Sequence, residues 1–559
     1  MKYKNLYSII IPKNKRGDFY GKPWLKWYDP GVPASINYPE KPLKDMFNQN
    51  AAANPDRPYL IFGDSTITYG EANRFARKLA NSFLSLGIKK GDRVAIMSPN
   101  YPEYVIALEA CYKIGAVAVP TNPMATVREL IHQFKDSGAI CVVAWAGVAD
   151  KAVQILQEQS AFLSHVIVFR AEKDKFQFSD RVIKYEDLLE GSKENEPDIK
   201  VSHKDLAMLQ YTGGTTGVSK GCMLSNFNIL SQAYQDHYWF RNSYADLPYL
   251  KTLCCMPLYH IYGFNTNINI NKVAGGCAIL VTVPTIDHIL DAIDMHEPNF
   301  YAAVPAMIFG LKEHPRTTSS KIRSIKGMIC GSSPLAVEVM KRFEELSGAT
   351  ITEGYGLSET SNVLTCTPFG KRKPGSVGLP WPDIDIKIVD IATGKSEMPV
   401  GEPGELIARG PNIMSGYWNN EAETVNAIRD GWLYTGDIAY MDEDGFFFIV
   451  DRKKDMILSS GFNVYPREID EVIYELPQVF KTCAIGVPDE KRGESVKSFI
   501  VLNPGASLTE EEVLRHCRER LSAYKVPKYI EFIDELPLTP VGKPMRNELR
   551  KRELEKFKK

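Results

Sequence analysis

Apolar and polar positions alternate along this chain in two periods, and the two take turns. Between Pro42 and Pro197 short apolar runs alternate with helical stripes. Gly91-Asp92-Arg93-Val94-Ala95-Ile96-Met97 reads as a turn into a strand, Tyr104 to Tyr112 as a helix, and Ala116-Val117-Ala118-Val119-Pro120 as a short buried strand. Thr126 and Glu129 form a capping box for a helix reaching Ser137. Such alternation predicts an α/β fold of parallel or mixed sheets covered by helices. The charged stretch from Glu190 to Lys200 reads as an exposed connector. Further on, Gly327 to Pro334 is an apolar strand ending in a glycine-serine turn, and a glycine-punctuated β segment begins at Gly404-Glu405-Leu406 and Gly416-Tyr417.

Asp451-Arg452-Lys453-Lys454-Asp455 interrupts two apolar strands with five consecutive charges. We read it as a solvated loop and as the principal domain boundary, separating about 450 residues from about 105. The expected units are residues 1–450, a connection at 451–454, and a small α+β domain at 455–559. In the latter, Ile469, Val472, Ile473 and Leu476 form one helical stripe. Leu514, Cys517 and Leu521 form another behind a Thr509/Glu512 capping box, and Lys551 to Lys559 reads as a frayed basic helix.

Composition narrows the class. A chain of 559 residues is too long for one core. A net charge of −1 argues neither for nor against nucleic acid, which is not an expected partner. Ten scattered cysteines without a CxxC pair, no apolar run of membrane-spanning length and no secretory leader point to a reduced, cytoplasmic setting. Residues 1–28 carry seven Lys/Arg against one acid, with seven aromatic residues. The arm is read as packed on its own domain or on a second subunit of a homodimer. Peripheral contact with an anionic inner membrane face is the alternative.

Chemistry concentrates at Tyr211-Thr212-Gly213-Gly214-Thr215-Thr216-Gly217-Val218-Ser219-Lys220-Gly221. Glycines let backbone N–H groups approach a ligand and threonines add hydroxyl donors. Lys220 is the only charged residue from Leu206 to Gln235, so the loop suits a polyphosphate. With Ser225 as N-cap of the following segment, it is expected between a strand and a helix. It is not a Walker A loop, because the order is Lys-Gly. His260 lies in Met256-Pro257-Leu258-Tyr259-His260-Ile261-Tyr262-Gly263-Phe264, where the backbone turns, and reads as a pocket wall. In Thr352-Glu353-Gly354-Tyr355-Gly356-Leu357-Ser358-Glu359 the glycines free the backbone, Tyr355 offers a stacking face and Glu359 offers hard oxygen to Mg²⁺. Asp437 ends Trp432-Leu433-Tyr434-Thr435-Gly436-Asp437, and a carboxylate is a natural acceptor for a diol.

These segments, in this order from about residue 40 to 548, resemble the adenylate-forming superfamily, which includes acyl-CoA synthetases, luciferases and peptide-synthetase adenylation domains. Leu209 to Gly217, Ile449 to Leu458 and Ser460 to Pro466 look like bacterial and archaeal long-chain fatty-acid–CoA ligases. Two positions depart from the usual pattern: Ser219 replaces proline and Ser358 replaces threonine. The resemblance implies a β-barrel-like part in the large domain and a mobile tail. It implies that Thr212, Gly213, Gly214, Thr215, Thr216, Gly217 and Lys220 hold the ATP phosphates. Gly331, Ser332, Ser333, Gly354, Tyr355, Gly356 and Ser358 would meet adenine, and Asp437 and Arg452 the ribose. Lys454 would be the hinge, Lys543 the catalytic lysine and His260 the gate of the acid pocket. Mg²⁺ would sit near Thr215 and Glu359, and Ser460 and Gly461 would line the coenzyme A tunnel. Activity is then expected in two halves: a fatty acid and ATP give acyl-AMP and pyrophosphate, and coenzyme A displaces AMP. Three alternatives are an aryl or short branched acid, a carrier-protein acceptor, and a nucleotide-binding scaffold with a dead site.

Overall fold

The computed structural model describes residues 21–158, 162–172, 175–212, 219–332, 335, 337–459, 462–489, 493–539 and 543–557. Two helix-covered sheets carry the alternating pattern. The first has seven strands, in the order Val182–Lys184, His165–Phe169, Ala139–Trp145, Arg93–Met97, Val117–Thr121, Leu206–Thr212 and Lys220–Ser225. All neighbours are parallel except the last pair, which is antiparallel. The second has nine strands with a parallel centre that includes Lys251–Cys254, Phe300–Ala303, Gly327–Cys330 and Thr350–Leu357. Strands buried on both faces read as continuous apolar runs, as Val117 to Pro120 does.

Local signals set the helix ends. Thr126 accepts from Glu129 N–H at 3.3 Å while Glu129 accepts from Thr126 N–H at 2.7 Å, and Gly138 closes the helix at φ 64°. Thr509 and Glu512 make the same box in the tail. Ser225 caps the helix Asn226–Phe240, but the strand Lys220–Ser225 stands before it. The glycine loop therefore joins two antiparallel strands and does not run from strand to helix as expected. The reason is tertiary: Met223 N–H donates to Gly416 O, and Trp418 N–H and Ser415 N–H donate to Gly221 O and Met223 O, so a distant segment pairs with the strand.

The β-rich part is a five-stranded antiparallel sheet running from Asp385–Val389 to Phe447–Arg452. A separate five-stranded sheet, from Ile457–Ser459 to Tyr529–Phe532, has its own apolar cluster around Ile469, Ile473, Val496 and Val513 and forms the smaller C-terminal domain. From Gly21 the arm packs on its own domain. Trp24 is buried edge-on to Phe447, and Tyr28 meets Trp239 and donates to Pro380 O at 2.5 Å. Residues 1–20 of the arm lie outside the described residues. All ten cysteines are free and buried. Among the described residues no helix is long and apolar enough to cross a membrane.

The 451–455 run corrects the reading of a solvated loop. Asp451 and Asp455 are 4% and 5% exposed. Asp451 accepts the N–H groups of Arg452 and Arg467, each at 2.7 Å, and Asp455 pairs with Arg550 at 3.2 Å. Buried carboxylates are tolerated where such partners replace water.

Candidate active site

The glycine loop is anchored where Thr212 faces Lys220 across the hairpin. Gly213, Gly214, Thr215, Thr216 and Gly217 lie outside the described residues. Lys220 is not the unpaired cation its neighbourhood in sequence suggested. Its Nζ lies 2.5 Å from Glu423 Oε2 and 4.5 Å from the Tyr417 ring centroid. Tyr417 in turn donates its hydroxyl to Glu359 Oε1 at 2.7 Å. Tyr417 therefore links the two predicted phosphate-side residues, Lys220 and Glu359. Its place beside Gly416 in a β segment carried no such signal.

The predicted adenine-side turn is built from the strand Thr350–Leu357, which pairs with Gly327–Cys330 and then with Asn362–Cys366. Close approach, more than conformational freedom, explains Gly356, and Gly354 is tight only against a movable side chain. A Cβ at Gly354 would stand 2.8 Å from Ile329 Cδ1, and one at Gly356 would fall on the Asn362 carbonyl oxygen. Ser358 opens the short 3₁₀ turn Ser358–Thr360, closed by Ser361 at φ 54°. Gly331 donates its N–H to Ala303 O at 3.2 Å, and Ser332 holds φ 71°. Ser333 lies outside the described residues. Tyr262 wedges below this turn and donates to Ala303 O at 3.0 Å and Ile329 O at 2.9 Å.

Asp437 and Arg452 face each other across antiparallel strands. Arg452 Nε lies 3.1 Å from Asp437 Oδ1, and the Tyr355 hydroxyl donates to Oδ2 at 2.6 Å. Asp437 is nearly buried, so both contacts are charge-assisted and weakly screened. The Asp437 carboxylate raises the Arg452 pKa further.

His260 precedes the short helix Ile261–Phe264 and accepts from Tyr262 N–H through Nδ1 at 3.3 Å. Gly263 sits where a side chain would strike the carbonyls of Met256 and Pro257. Burial pushes the His260 pKa down to about 4, and the Lys543 cation adds to this. The imidazole is therefore neutral near pH 7.

Lys543 arrives from the small domain. Thr539 N–H donates to Lys543 O at 2.8 Å, and Lys543 N–H donates to Thr539 Oγ1 at 3.0 Å, so a two-bond turn fixes the lysine's backbone. Burial pushes its pKa down to about 8; Arg452 adds to the shift and Asp437 opposes it. One lysine thus shares a low-dielectric space with His260, Arg452 and Asp437, residues more than 90 positions away. Burial also lowers the Lys454 pKa, with Arg452 adding. Ser460 and Gly461 lie outside the described residues; the adjoining Ser459 is buried. Glu353, beside Gly354, is pushed up to about 7 by burial.

Among the described residues no cluster of three or more His, Cys, Asp or Glu side chains could by itself hold a metal. Near the loop Glu359 offers a carboxylate that is not engaged by Lys220, whereas that of Glu423 is. That donor set fits a hard cation carried largely by polyphosphate oxygens.

The profile of the AMP-binding enzyme family matches residues 47–418, and that of the AMP-binding enzyme C-terminal domain matches residues 468–543. The chain is 38% identical to a long-chain-fatty-acid–CoA ligase of Bacillus subtilis (strain 168), covering 96% of this chain and 98% of that protein. It resembles the crystal structure of ATP-bound MatB from Rhodopseudomonas palustris with a TM-score of 0.82 at 30% identity, covering 91% of this chain and 98% of that one. Against apo MatB, at the same identity and coverage, the TM-score is 0.73. O-succinylbenzoate coenzyme A synthetase (MenE) from Bacillus subtilis, in complex with ATP and magnesium ion, gives a TM-score of 0.78 at 27% identity, covering 91% of this chain and 100% of that one.

Proposed function

The chain belongs to the AMP-binding enzyme family, and from that membership we propose that it is a fatty-acid–CoA ligase. It would convert a fatty acid and ATP to acyl-AMP and pyrophosphate, then transfer the acyl group to coenzyme A. The observation that carries this reading is the set of contacts that holds Asp437 between Arg452 and Tyr355 and links Glu359 through Tyr417 to Lys220, with the Lys543 cation acting on His260 from the small domain. The greater likeness to ATP-bound than to apo MatB supports reading this arrangement as the adenylating one.

A carboxylate is a poor electrophile because its charge is delocalised and oxide is a poor leaving group. Attack of its oxygen on the α-phosphorus expels pyrophosphate, and AMP then leaves readily when a thiol attacks the acyl carbon. The first step gathers charge on phosphate oxygens. Its catalysis is positioning and electrostatics, with no covalent enzyme intermediate. In this reading Lys543 supplies a cation in a low-dielectric space. Thr212 to Gly217 and Lys220 hold the phosphates, which requires Lys220 to exchange Glu423 for phosphate. Asp437 accepts from the ribose diol while Arg452 and Tyr355 hold its carboxylate in place. Gly331, Ser332, Ser333, Gly354, Tyr355, Gly356 and Ser358 frame adenine, and neutral His260 walls the acid pocket. Mg²⁺ would be held by Glu359 and Thr215 together with the ATP phosphates, and it would neutralise their charge.

The second step needs the lysine withdrawn and a thiol admitted. We place the hinge at Lys454, between a large domain ending near residue 450 and a mobile tail. Turning there would bring Ser459, Ser460 and Gly461 to the site.

The test is pyrophosphate release with ATP and Mg²⁺ across acids from acetate to palmitate plus benzoate, with and without coenzyme A. Sustained turnover that peaks with longer alkyl acids and requires coenzyme A is expected. A peak with benzoate, or a single stoichiometric burst in the presence of coenzyme A, would overturn the substrate or the acceptor respectively.

A further inference from the structure

Beyond the turn at 452–456 itself, the hydrogen bonds among the described residues that cross from the large domain to the tail both come from Arg467. Its Nη1 donates to Ile449 O at 2.6 Å, and its backbone N–H donates to Asp451 Oδ2 at 2.7 Å. Arg467 is the second residue of the helix Pro466–Tyr474, whose N-cap Tyr465 provides no side-chain cap. Asp451, from the other side of the proposed hinge, thus caps this helix from outside, where N–H groups and the helix dipole both favour a carboxylate. Its other oxygen accepts Arg452 N–H at 2.7 Å, which ties the cap to the strand Phe447–Arg452 and so to Asp437. Glu471, one turn along, orients the guanidinium through Nε at 2.8 Å.

The backbone around Lys454 is clamped on both sides. On the large-domain side Lys453 N–H donates to Gly436 O at 2.9 Å, and its Nζ lies 2.8 Å from Glu405 Oε2. On the tail side Arg550 donates through Nη1 to Lys454 O at 3.0 Å and to Asp455 Oδ1 at 3.2 Å, and through Nη2 to Asp455 O at 2.7 Å. A carbonyl moves as one plane with the following N–H, so Arg550 makes the 454–455 peptide part of the tail. The φ and ψ of Lys454 are left as the pivot. Rotation there breaks the turn bonds from Asp455 N–H and Met456 N–H to Arg452 O, and carries Arg467 away from Ile449 and Asp451.

We infer that Arg467 is the latch of the adenylating arrangement: it holds the tail, and with it Lys543, against the large domain until the tail turns. Arg467 is a positioning residue, because its partners are Ile449, Asp451 and Glu471 and it acts on the chemistry only through where the tail sits. The inference rests on the two-step reading above. It predicts that loss of the side chain penalises the step that needs Lys543 inward and spares the step that needs it outward.

The test uses full-length Arg467→Ala and Arg467→Lys. Adenylation is followed by pyrophosphate release, and thioester formation from supplied acyl-AMP and coenzyme A. Spin labels on Met295→Cys and Leu554→Cys, both exposed positions on opposite domains in a chain whose own cysteines are buried, report the inter-domain distance. One charge-assisted bond corresponds to about tenfold in the balance of the two arrangements. Arg467→Ala should lower adenylation about tenfold, leave thioester formation unchanged or faster, and add a second distance population. Arg467→Lys, which keeps a cation near Ile449 O, should fall between. Equal loss of both steps, or an unaltered distance distribution, would overturn the latch. If the wild type forms no acyl-AMP with any acid, the functional reading fails. The distance measurement still tests the latch, because it needs no turnover.

Discussion

Lys543 carries a pH signature that can be worked out from its surroundings. Burial disfavours the ammonium and lowers its pKa from the ordinary lysine value to about 8. The cation is therefore present below pH 8 and lost above it. In the free enzyme about half remains charged at pH 8, about a tenth at pH 9 and about a hundredth at pH 10. If adenylation needs this charge, kcat/KM for ATP, which reports groups of the free enzyme, should fall tenfold for each pH unit above about 8. The limb in kcat should lie at higher pH, because bound polyphosphate stabilises the ammonium. His260, neutral above about pH 4, contributes nothing to this limb. The assay is pyrophosphate release from pH 6 to 10 at subsaturating ATP. Lys543→Arg keeps a cation throughout and should flatten the profile, at a lower plateau set by its different geometry. A wild-type kcat/KM flat to pH 10, or the same limb surviving in Lys543→Arg, would refute the argument. The linkage runs the other way for stability. Between about pH 8 and the ordinary lysine pKa the exposed lysine of an open or unfolded form binds more protons, so the closed arrangement gains stability as pH rises through that window.

Other expectations follow from single contacts. Tyr355→Phe removes the hydroxyl held 2.6 Å from Asp437 and should raise KM for ATP about tenfold while leaving the fold intact, checked by steady-state kinetics and the urea midpoint. Gly356→Ala drives a Cβ onto a backbone carbonyl that cannot step aside and should cost about 3 kcal/mol of stability, read from urea unfolding. Lys272 and Glu109 form an ion pair with both side chains almost wholly buried. Glu109→Gln leaves the lysine without its counter-charge and should cost about 3–5 kcal/mol, whereas Glu109→Leu combined with Lys272→Met should recover most of that loss.

Much of the scaffold was legible in the chain because its signals are local. Apolar runs of strand length, the capping boxes at Thr126 and Thr509, the Ser225 cap and the glycine-rich segments each depend on residues within a few positions of one another. The family signatures were legible for the same reason: each is a contiguous run whose backbone geometry needs particular small or charged residues. Tertiary structure decided what such runs cannot encode, which is the partner arriving from elsewhere. Glu423 reaches Lys220, and Tyr417 reaches Glu359, across gaps no local pattern spans. Asp451 and Asp455 read as solvent-facing because charge costs energy in a low dielectric, yet Arg467 and Arg550 approach from the tail and take the place of water. The helix starts at Asn226 as its cap predicted, but Lys220–Ser225 forms a strand where a loop was expected, because its backbone groups find partners in Leu206–Thr212 on one side and the distant 415–418 segment on the other. Position along the chain thus singled out the candidate groups. Their protonation and mutual aim, as with Lys543 beside Arg452 and His260, were set by which surfaces the fold buries together.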